Sequence, residues 1–307
     1  MKELLLKFKG AFIASALGDA IGELAFKYRR REQLLKAIQN SEKLIYTDDT
    51  AMAIALAEYL IENETVDVEK LGEKFACNYE REPWRGYGPG PPKIFKLVKE
   101  KKISFEKAAQ NIYPGGSFGN GAAMRITPAG LYFSQQEKKF YENIRLTCLP
   151  THTHPLAVDG AVIVARAIGF LLKRDKFENK ELIEELLRIS RCDEFKDKIK
   201  KISFLIDENC SLQKARAVLG NNSTALGSVP FAIFAFLKNK ENFKEGLISE
   251  VLVSGDRDTV GCMSGALWGA YLGVRHIPSD WLHKLENIIY IEKLADKLYR
   301  NKTLKIF

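Results

Sequence analysis

Thr47-Asp48-Asp49-Thr50-Ala51-Met52-Ala53-Ile54-Ala55-Leu56-Ala57 sets two carboxylates at the head of a run of small and apolar residues. The same device returns near the other end of the chain, in Asp256-Arg257-Asp258-Thr259-Val260-Gly261-Cys262-Met263-Ser264-Gly265-Ala266-Leu267. Each reads as the opening of a helix about to be buried, where carboxylates are costly unless something holds them. Asp and Thr are good N-caps, and acidic groups complement a helix dipole, so either cluster alone could be a cap and no more. Two distant clusters meet only by folding. If they meet, four aspartates and several threonine hydroxyls converge, an all-oxygen set suited to hard cations such as Mg²⁺ or Mn²⁺.

Outward from these clusters, helical periodicity dominates. It predicts helices over 2–25, 30–39, 49–62, 67–79, 92–101, 137–148, 155–173, 180–189, 194–207, 226–237, 241–253, 259–274 and 281–299. Alternating β patterns are nearly absent, so the expected fold class is all-α. Two helices carry small residues at every fourth position: Gly10, Ala14, Gly18 and Gly22 in one, Gly261, Gly265, Gly269 and Gly273 in the other. Glycine costs about 1 kcal/mol per helical position relative to alanine, so something offsets it. Stripes of this kind let backbones approach closely, which marks these as central helices of a bundle.

The chain has 307 residues, 46% hydrophobic and 28% charged, as in a globular protein. No linker, repeat or low-complexity tract interrupts it, and one domain over 1–307 is expected. No apolar run is long enough to span a bilayer. The basic start, Met1 to Lys9, is broken by Lys7 and Lys9 and reads as the first helix, not a signal peptide. Five cysteines without a C-x-x-C predict buried free thiols, a cytoplasmic location and no zinc site. A net charge of +8 could favour an anionic ligand or nucleic acid. The lysines alternate with glutamates, however, as in Lys173 to Lys201, which reads as solvated helix faces and argues against nucleic acid.

Two Pro/Gly-rich loops, 83–92 and 114–130, are ligand-binding candidates on a helical scaffold. The second contains Gly115-Gly116-Ser117-Phe118-Gly119-Asn120-Gly121. Such a loop can present N–H groups to a pyrophosphate, with Ser117 as a further donor and Phe118 placed to stack on a base. It can equally be a helix cap with Phe118 in the core. Trp84 and Tyr87 could close over a base or anchor their loop.

Together these segments resemble the ADP-ribosylglycohydrolase family. The resemblance rests on Leu17-Gly18-Asp19-Ala20-Ile21-Gly22, Tyr46-Thr47-Asp48-Asp49-Thr50-Ala51-Met52, Gly86-Tyr87-Gly88-Pro89-Gly90, Gly119-Asn120-Gly121-Ala122-Ala123-Met124-Arg125, Thr151-His152-Thr153-His154-Pro155 and Ser254-Gly255-Asp256-Arg257-Asp258-Thr259, in the family's order. It implies a compact orthogonal multi-helix bundle with two Mg²⁺ ions, Mn²⁺ being possible. It also implies a hydrolase that cleaves the glycosidic bond between ADP-ribose and an acceptor. The implied metal ligands are Thr47, Asp48, Asp49, Asp256, Asp258 and Thr259. Asp48, Asp49 and Asp256 are the implied catalytic carboxylates. Gly88, Gly115, Gly116, Ser117, Phe118, Gly119, Asn120 and His152 are the implied contacts to ADP-ribose or an ADP-ribosylated acceptor. His152 and His154 also have chelating spacing, which an oxygen-rich site does not need. Asp19 is expected as a partner of Arg125 or as a helix start.

The chain departs from the family at Phe26, where a glutamate is usual. Glu23, one helical turn earlier, is the carboxylate that could substitute as a catalytic group; otherwise it is an ordinary exposed glutamate. Two further readings stand beside the hydrolase: a non-catalytic ADP-ribose or nucleotide binder, and a metal-dependent hydrolase of free nucleotides.

Overall fold

In a computed structural model, which describes residues 2–303, the two glycine stripes lie face to face. They belong to the antiparallel helices Lys2–Lys27 and Arg257–Leu272. A Cβ added at Gly18 would stand 1.9 Å from the carbonyl oxygen of Gly261, and one at Gly269 would stand 2.1 Å from that of Gly10. At Gly22 the same atom would meet the Arg257 carbonyl at 2.3 Å. The helices therefore touch backbone to backbone. The weak intrinsic helicity of glycine is offset by close packing along their whole length, and the start of the later helix is brought beside Asp19.

Around this pair the chain is all-α, with helices joined by short connections and no strand among the described residues. The helices Pro155–Leu171 and Ala225–Lys238 are buried on nearly every face, as an all-round hydrophobic helix must be. No helix is long and apolar enough to cross a membrane. The described cysteines form no disulfide; Cys148, Cys210 and Cys262 are buried as expected, whereas Cys77 is exposed.

Most of the expected helices are present within a few residues. Four short ones were not expected: Phe105–Ile112 and Leu212–Leu219, each opened by a serine cap, and Gly121–Met124 and Thr127–Phe133. The expected 281–299 helix is two, Ser279–Lys284 and Ile288–Thr303. It breaks because Leu285 pairs with Leu44 as a parallel bridge: the Leu44 N–H donates to the Lys284 carbonyl at 2.8 Å, and the Glu286 N–H to the Leu44 carbonyl at 3.0 Å. Asn287 then turns the chain at φ 54°, and its amide donates to the Tyr46 hydroxyl at 2.8 Å. A tertiary contact thus overrides helical propensity and holds the segment that leads into Thr47.

Glu250 is one of several carboxyls buried in the protein. Glu250 is wholly buried, and neither oxygen has a hydrogen-bond partner. The nearby Ser264 hydroxyl turns instead to the Gly261 carbonyl at 3.3 Å. Burial drives the Glu250 pKa well above the usual carboxylate range, so the folded protein keeps its proton where the unfolded chain loses it. Stability from this group is complete below the unfolded value, near 4.5, and is lost as pH rises toward the folded one. The slope is up to about 1.4 kcal/mol per pH unit. Glu250→Gln carries no such proton. Urea unfolding at pH 5 and pH 8 should show the variant gaining on the wild type by 1 kcal/mol or more, in order of magnitude. Other buried acids titrate in both proteins and cancel in that difference. A constant difference would mean Glu250 is ionised in the fold.

Candidate active site

The two acidic clusters meet. Asp48, Asp49, Asp256, Asp258 and Thr259 line one cavity of about 390 Å³, within the range of small-molecule sites. Thr47 caps the helix Asp48–Glu62, its Oγ1 accepting from the Asp49 N–H at 3.3 Å. It lines an adjoining cavity, not the main one.

Asp19 is the organiser of this corner. Fully buried, it accepts from the N–H and hydroxyl of Thr47, at 3.0 and 2.8 Å, and of Thr50, at 3.0 and 2.6 Å. It is neither a helix start nor bonded to Arg125, contrary to expectation. It lies inside the Lys2–Lys27 helix and fastens the next acidic helix to it. The Asp48 N–H is held from the other side, donating to the Arg85 carbonyl at 2.8 Å.

The Arg125 charge, on the same cavity wall, lowers the Asp48 pKa but does not offset burial and carboxylate repulsion. Burial and then Asp19 raise the Asp48 pKa to about 7. Burial, then Asp256 and Asp19, raise that of Asp258 to about 8. Asp49 is driven well above the usual range by burial and then Asp19, and its Oδ2 is buried without a hydrogen-bond partner. Asp19 itself rises to about 6 through burial, although its hydrogen bonds oppose this. Among the described residues no three acidic, imidazole or thiol groups already close on one point as a finished chelate. The residues nonetheless fit a hard divalent cation: oxygen donors, a surplus of buried negative charge and an orphaned carboxylate oxygen.

The glycine loop forms the facing wall, but not all of it lines the cavity. Ser117, Gly119 and Asn120 do; Gly115, Gly116 and Phe118 do not. Gly115 and Gly116 turn the chain at φ 83° and 89°. Gly116 also packs so tightly that a Cβ would stand 2.4 Å from the His154 nitrogen. Phe118 is not in the core. It is 54% exposed and sits edge-on to His154 with ring centroids 5.8 Å apart. Asn120 is engaged within the protein: its side-chain amide donates to Asp256 Oδ2 at 2.6 Å and to the Ser228 hydroxyl at 3.1 Å. It orients a candidate ligand and ties the glycine loop to the carboxylates. The Gly119 and Asn120 N–H groups are also taken, by Ser117 Oγ and the Ser223 carbonyl.

His152 is buried at the cavity wall, and burial followed by the Arg125 charge pushes its pKa down to about 3. It is therefore neutral. Arg125 Nη2 donates to Thr151 Oγ1 at 2.8 Å. The single Thr151 hydroxyl hydrogen is thereby free for His152 Nδ1, also at 2.8 Å. With that hydroxyl donating to Nδ1, the N–H of the neutral ring would sit on Nε2, beside Gly119 and Gly121. A Cβ at Gly121 would stand 3.0 Å from it.

The third wall is the 83–92 loop, with Gly86, Gly88, Pro89 and Gly90 on the cavity. Arg85 anchors this loop: buried, it donates to the Tyr46 carbonyl at 3.1 Å and pairs with Glu82 and Glu286. Tyr87 faces inward, its hydroxyl accepting from Asn78 at 3.3 Å. Trp84 projects outward, 71% exposed. Glu23 is exposed and lines the adjoining cavity with Thr47 and Asp258, not the main one. Phe26 is exposed as well. Sequence reasoning missed Tyr113 and Ser223 as lining residues, and Met52, which ends the Tyr46–Met52 motif, lines the cavity as well. Ser223 is brought in by the pairing of Gly119 with Thr224, a contact without local signal.

A family model described as ADP-ribosylglycohydrolase matches residues 1–305. The human protein named ADP-ribosylhydrolase ARH3 is 30% identical over an alignment covering 96% of this chain and 93% of that protein. A protein of Archaeoglobus fulgidus is also 30% identical, over 95% of this chain and 96% of its own length. The ADP-ribosyl-[dinitrogen reductase] glycohydrolase of Rhodospirillum rubrum is 27% identical, over 90% and 89%. A solved structure described as an ADP-ribosylglycohydrolase-related protein complex superposes with a TM-score of 0.75 at 22% identity, covering 98% of this chain and 100% of that one. At that identity the likeness is one of fold.

Proposed function

This chain belongs to the ADP-ribosylglycohydrolase family, and from that premise we propose that it hydrolyses the bond between ADP-ribose and an acceptor, using two Mg²⁺ or Mn²⁺ ions. One observation carries the reading. Aspartates from opposite ends of the chain line a single cavity together with Ser117, Asn120 and His152.

In this reading the ribose anomeric carbon lies at the aspartates, and the pyrophosphate lies against Ser117 and the Gly121 N–H. The neutral His152 donates from Nε2 to a ribose or phosphate oxygen, and adenine reaches outward to Phe118. Cleavage builds oxocarbenium-like charge on the ribose, which nearby carboxylates stabilise. Water attacks the anomeric carbon and passes a proton to a carboxylate of Asp48, Asp49 or Asp256; the bond to the acceptor breaks, and the acceptor leaves with that proton, so that the OH of water ends on ADP-ribose and its other hydrogen on the acceptor. Thr47, Asp48, Asp49, Asp256, Asp258 and Thr259 would hold the cations. When bound, these supply positive charge that keeps the aspartates ionised at neutral pH. Glu23, outside the main cavity, would act only from the Asp258 side.

Asp258→Asn tests the cation site. Asp258 Oδ1 accepts from the Thr259 N–H at 2.9 Å, a bond that asparagine keeps. Stability in chelator should therefore hold, while Mg²⁺ affinity and turnover fall together by at least about tenfold, or 1.4 kcal/mol. Unchanged Mg²⁺ titration by calorimetry would reduce Asp258 to a first-turn acid of the Arg257–Leu272 helix. For the reaction itself, the protein is incubated with Mg²⁺ and ADP-ribosylated acceptors, and the products are weighed. Free ADP-ribose is expected. AMP would indicate a hydrolase of nucleotides. No product, with ADP-ribose still bound, would indicate a non-catalytic binder.

A further inference from the structure

Two motifs far apart in sequence meet through a buried hydroxyl. Arg125 follows the short helix Gly121–Met124. Thr151 and His152 lie in the turn after Phe140–Cys148, where both of their N–H groups donate to the Cys148 carbonyl, at 3.1 and 2.9 Å. Arg125, Thr151 and His152 are all buried, and all three line the main cavity. Buried polar groups are nearly always paired, so the hydrogens of this group can be followed one by one.

A guanidinium only donates. Burial lowers the Arg125 pKa to about 10, which leaves it charged at neutral pH. Its Nη2 gives a hydrogen to Thr151 Oγ1 at 2.8 Å. The group is held in that place: Nη2 lies 3.4 Å from the Thr147 carbonyl, Nη1 3.8 Å from Met52 Sδ, and the Phe75 ring covers its face at 4.5 Å. Thr151 then has one hydrogen to give, and among the described residues its hydroxyl meets one further partner, His152 Nδ1 at 2.8 Å. The reverse arrangement, with the ring hydrogen on Nδ1, would strand the hydroxyl hydrogen in a buried place, which is costly. A neutral amide in place of Arg125 could accept as well as donate, and the chain could then run either way. With arginine it runs one way. The opposite ring nitrogen, Nε2, lies beside Gly119 and Gly121, which also line the cavity.

We propose that Arg125 and Thr151 are positioning residues for the ligand: acting through His152, they hold its ring hydrogen at Nε2, so that the cavity wall presents a donor to an oxygen of ADP-ribose. The other tautomer would set a nitrogen lone pair against a phosphate or ribose oxygen and repel it. The group that touches the ligand thus stands in one motif, and the charge that orients it in the other. The inference rests on the ADP-ribosyl hydrolase reading above.

The first measurement needs no ligand. Nitrogen-15 NMR distinguishes the two imidazole tautomers, and at neutral pH the free wild type should carry the His152 hydrogen on Nε2. A hydrogen on Nδ1 overturns the proposal, whether or not any variant folds. Thr151→Val removes the hydroxyl. It should lose the single tautomer, and its ADP-ribose affinity, by calorimetry with Mg²⁺, should fall about tenfold, as for one hydrogen bond to a charged group. Thr151→Ser, which restores the hydroxyl, should recover both. His152→Ala should lose affinity by itself, and adding Thr151→Val to it should cost nothing more, since a residue that acts through another has no effect in its absence. Additive losses would make Thr151 a support of the wall and overturn the proposal, as would an unchanged tautomer and affinity in Thr151→Val. If the wild type does not bind ADP-ribose, the functional reading has failed, and the tautomer and its loss in Thr151→Val still decide the relay.

Discussion

Gly18→Ala is expected to destabilise the protein by about 3 kcal/mol or more, a large share of the stability of an ordinary domain. Helix propensity predicts the opposite sign, since alanine is favoured over glycine by about 1 kcal/mol in a helix interior. Packing decides. The new methyl would lie 1.9 Å from the Gly261 carbonyl oxygen, 2.4 Å from its carbon and 3.0 Å from the Cys262 nitrogen. All three atoms are backbone within a buried helix and have no rotamer to escape into. The helices Lys2–Lys27 and Arg257–Leu272 must separate, and Asp258 moves with the second. Loss of stability and of Mg²⁺ binding should therefore appear together. Gly88→Ala is the control: nothing lies within 4 Å of its added Cβ, and its urea midpoint should stay near that of the wild type. A Gly18→Ala protein as stable as the wild type would mean the two stripes do not touch.

The second large effect is expected at Asp19. In Asp19→Ala four donors, the N–H and hydroxyl groups of Thr47 and Thr50, lose their acceptor where Thr50 is 1% exposed and Thr47 8%. A buried polar group left unpaired costs about 1–3 kcal/mol, so a total of about 4 kcal/mol or more is expected. Removing the carboxylate also relieves its repulsion of Asp48 and Asp49. That gain is smaller, because those neighbours are themselves pushed toward protonation. The loss should be measurable by urea unfolding in chelator, where no cation contributes. In the presence of Mg²⁺ its affinity should fall as well, because the start of the Asp48–Glu62 helix is no longer fastened. Asp19→Asn keeps one acceptor oxygen and should lie between. Wild-type stability in Asp19→Ala would show that water replaces the carboxylate.

The contrast between Asp19 and Asn120 shows where local reading ends. Both stood in motifs. For Asp19 the sequence offered Arg125 as a partner, yet Arg125 faces Thr151 and the ring of Phe75, with which it stacks at 4.5 Å. Asn120 lines the cavity, where a substrate contact would lie, and its amide also holds Asp256, a tie its motif does not announce. A hydrogen bond between residues far apart in sequence leaves no trace in the periodicity of either segment.

The sequence by itself determined that the chain is helical, that two helices would pack through glycines, and that its aspartates belong to two paired helix starts. These follow from properties each segment carries alone: spacing, side-chain volume, and the position of acids before apolar runs. Tertiary structure decided the rest. The antiparallel register sets Gly18 against Gly261 and Gly22 against Arg257, and so places Asp258 beside Asp19 and Asp49. The Leu44–Leu285 pairing breaks the last helix, and the Gly119–Thr224 pairing brings in Ser223. Glu23 and Thr47 fall on the other side of Asp258 from the glycine loop. The physical reason is common to all four: each depends on which surfaces come within a few ångströms once the backbones close, and that distance belongs to no single segment.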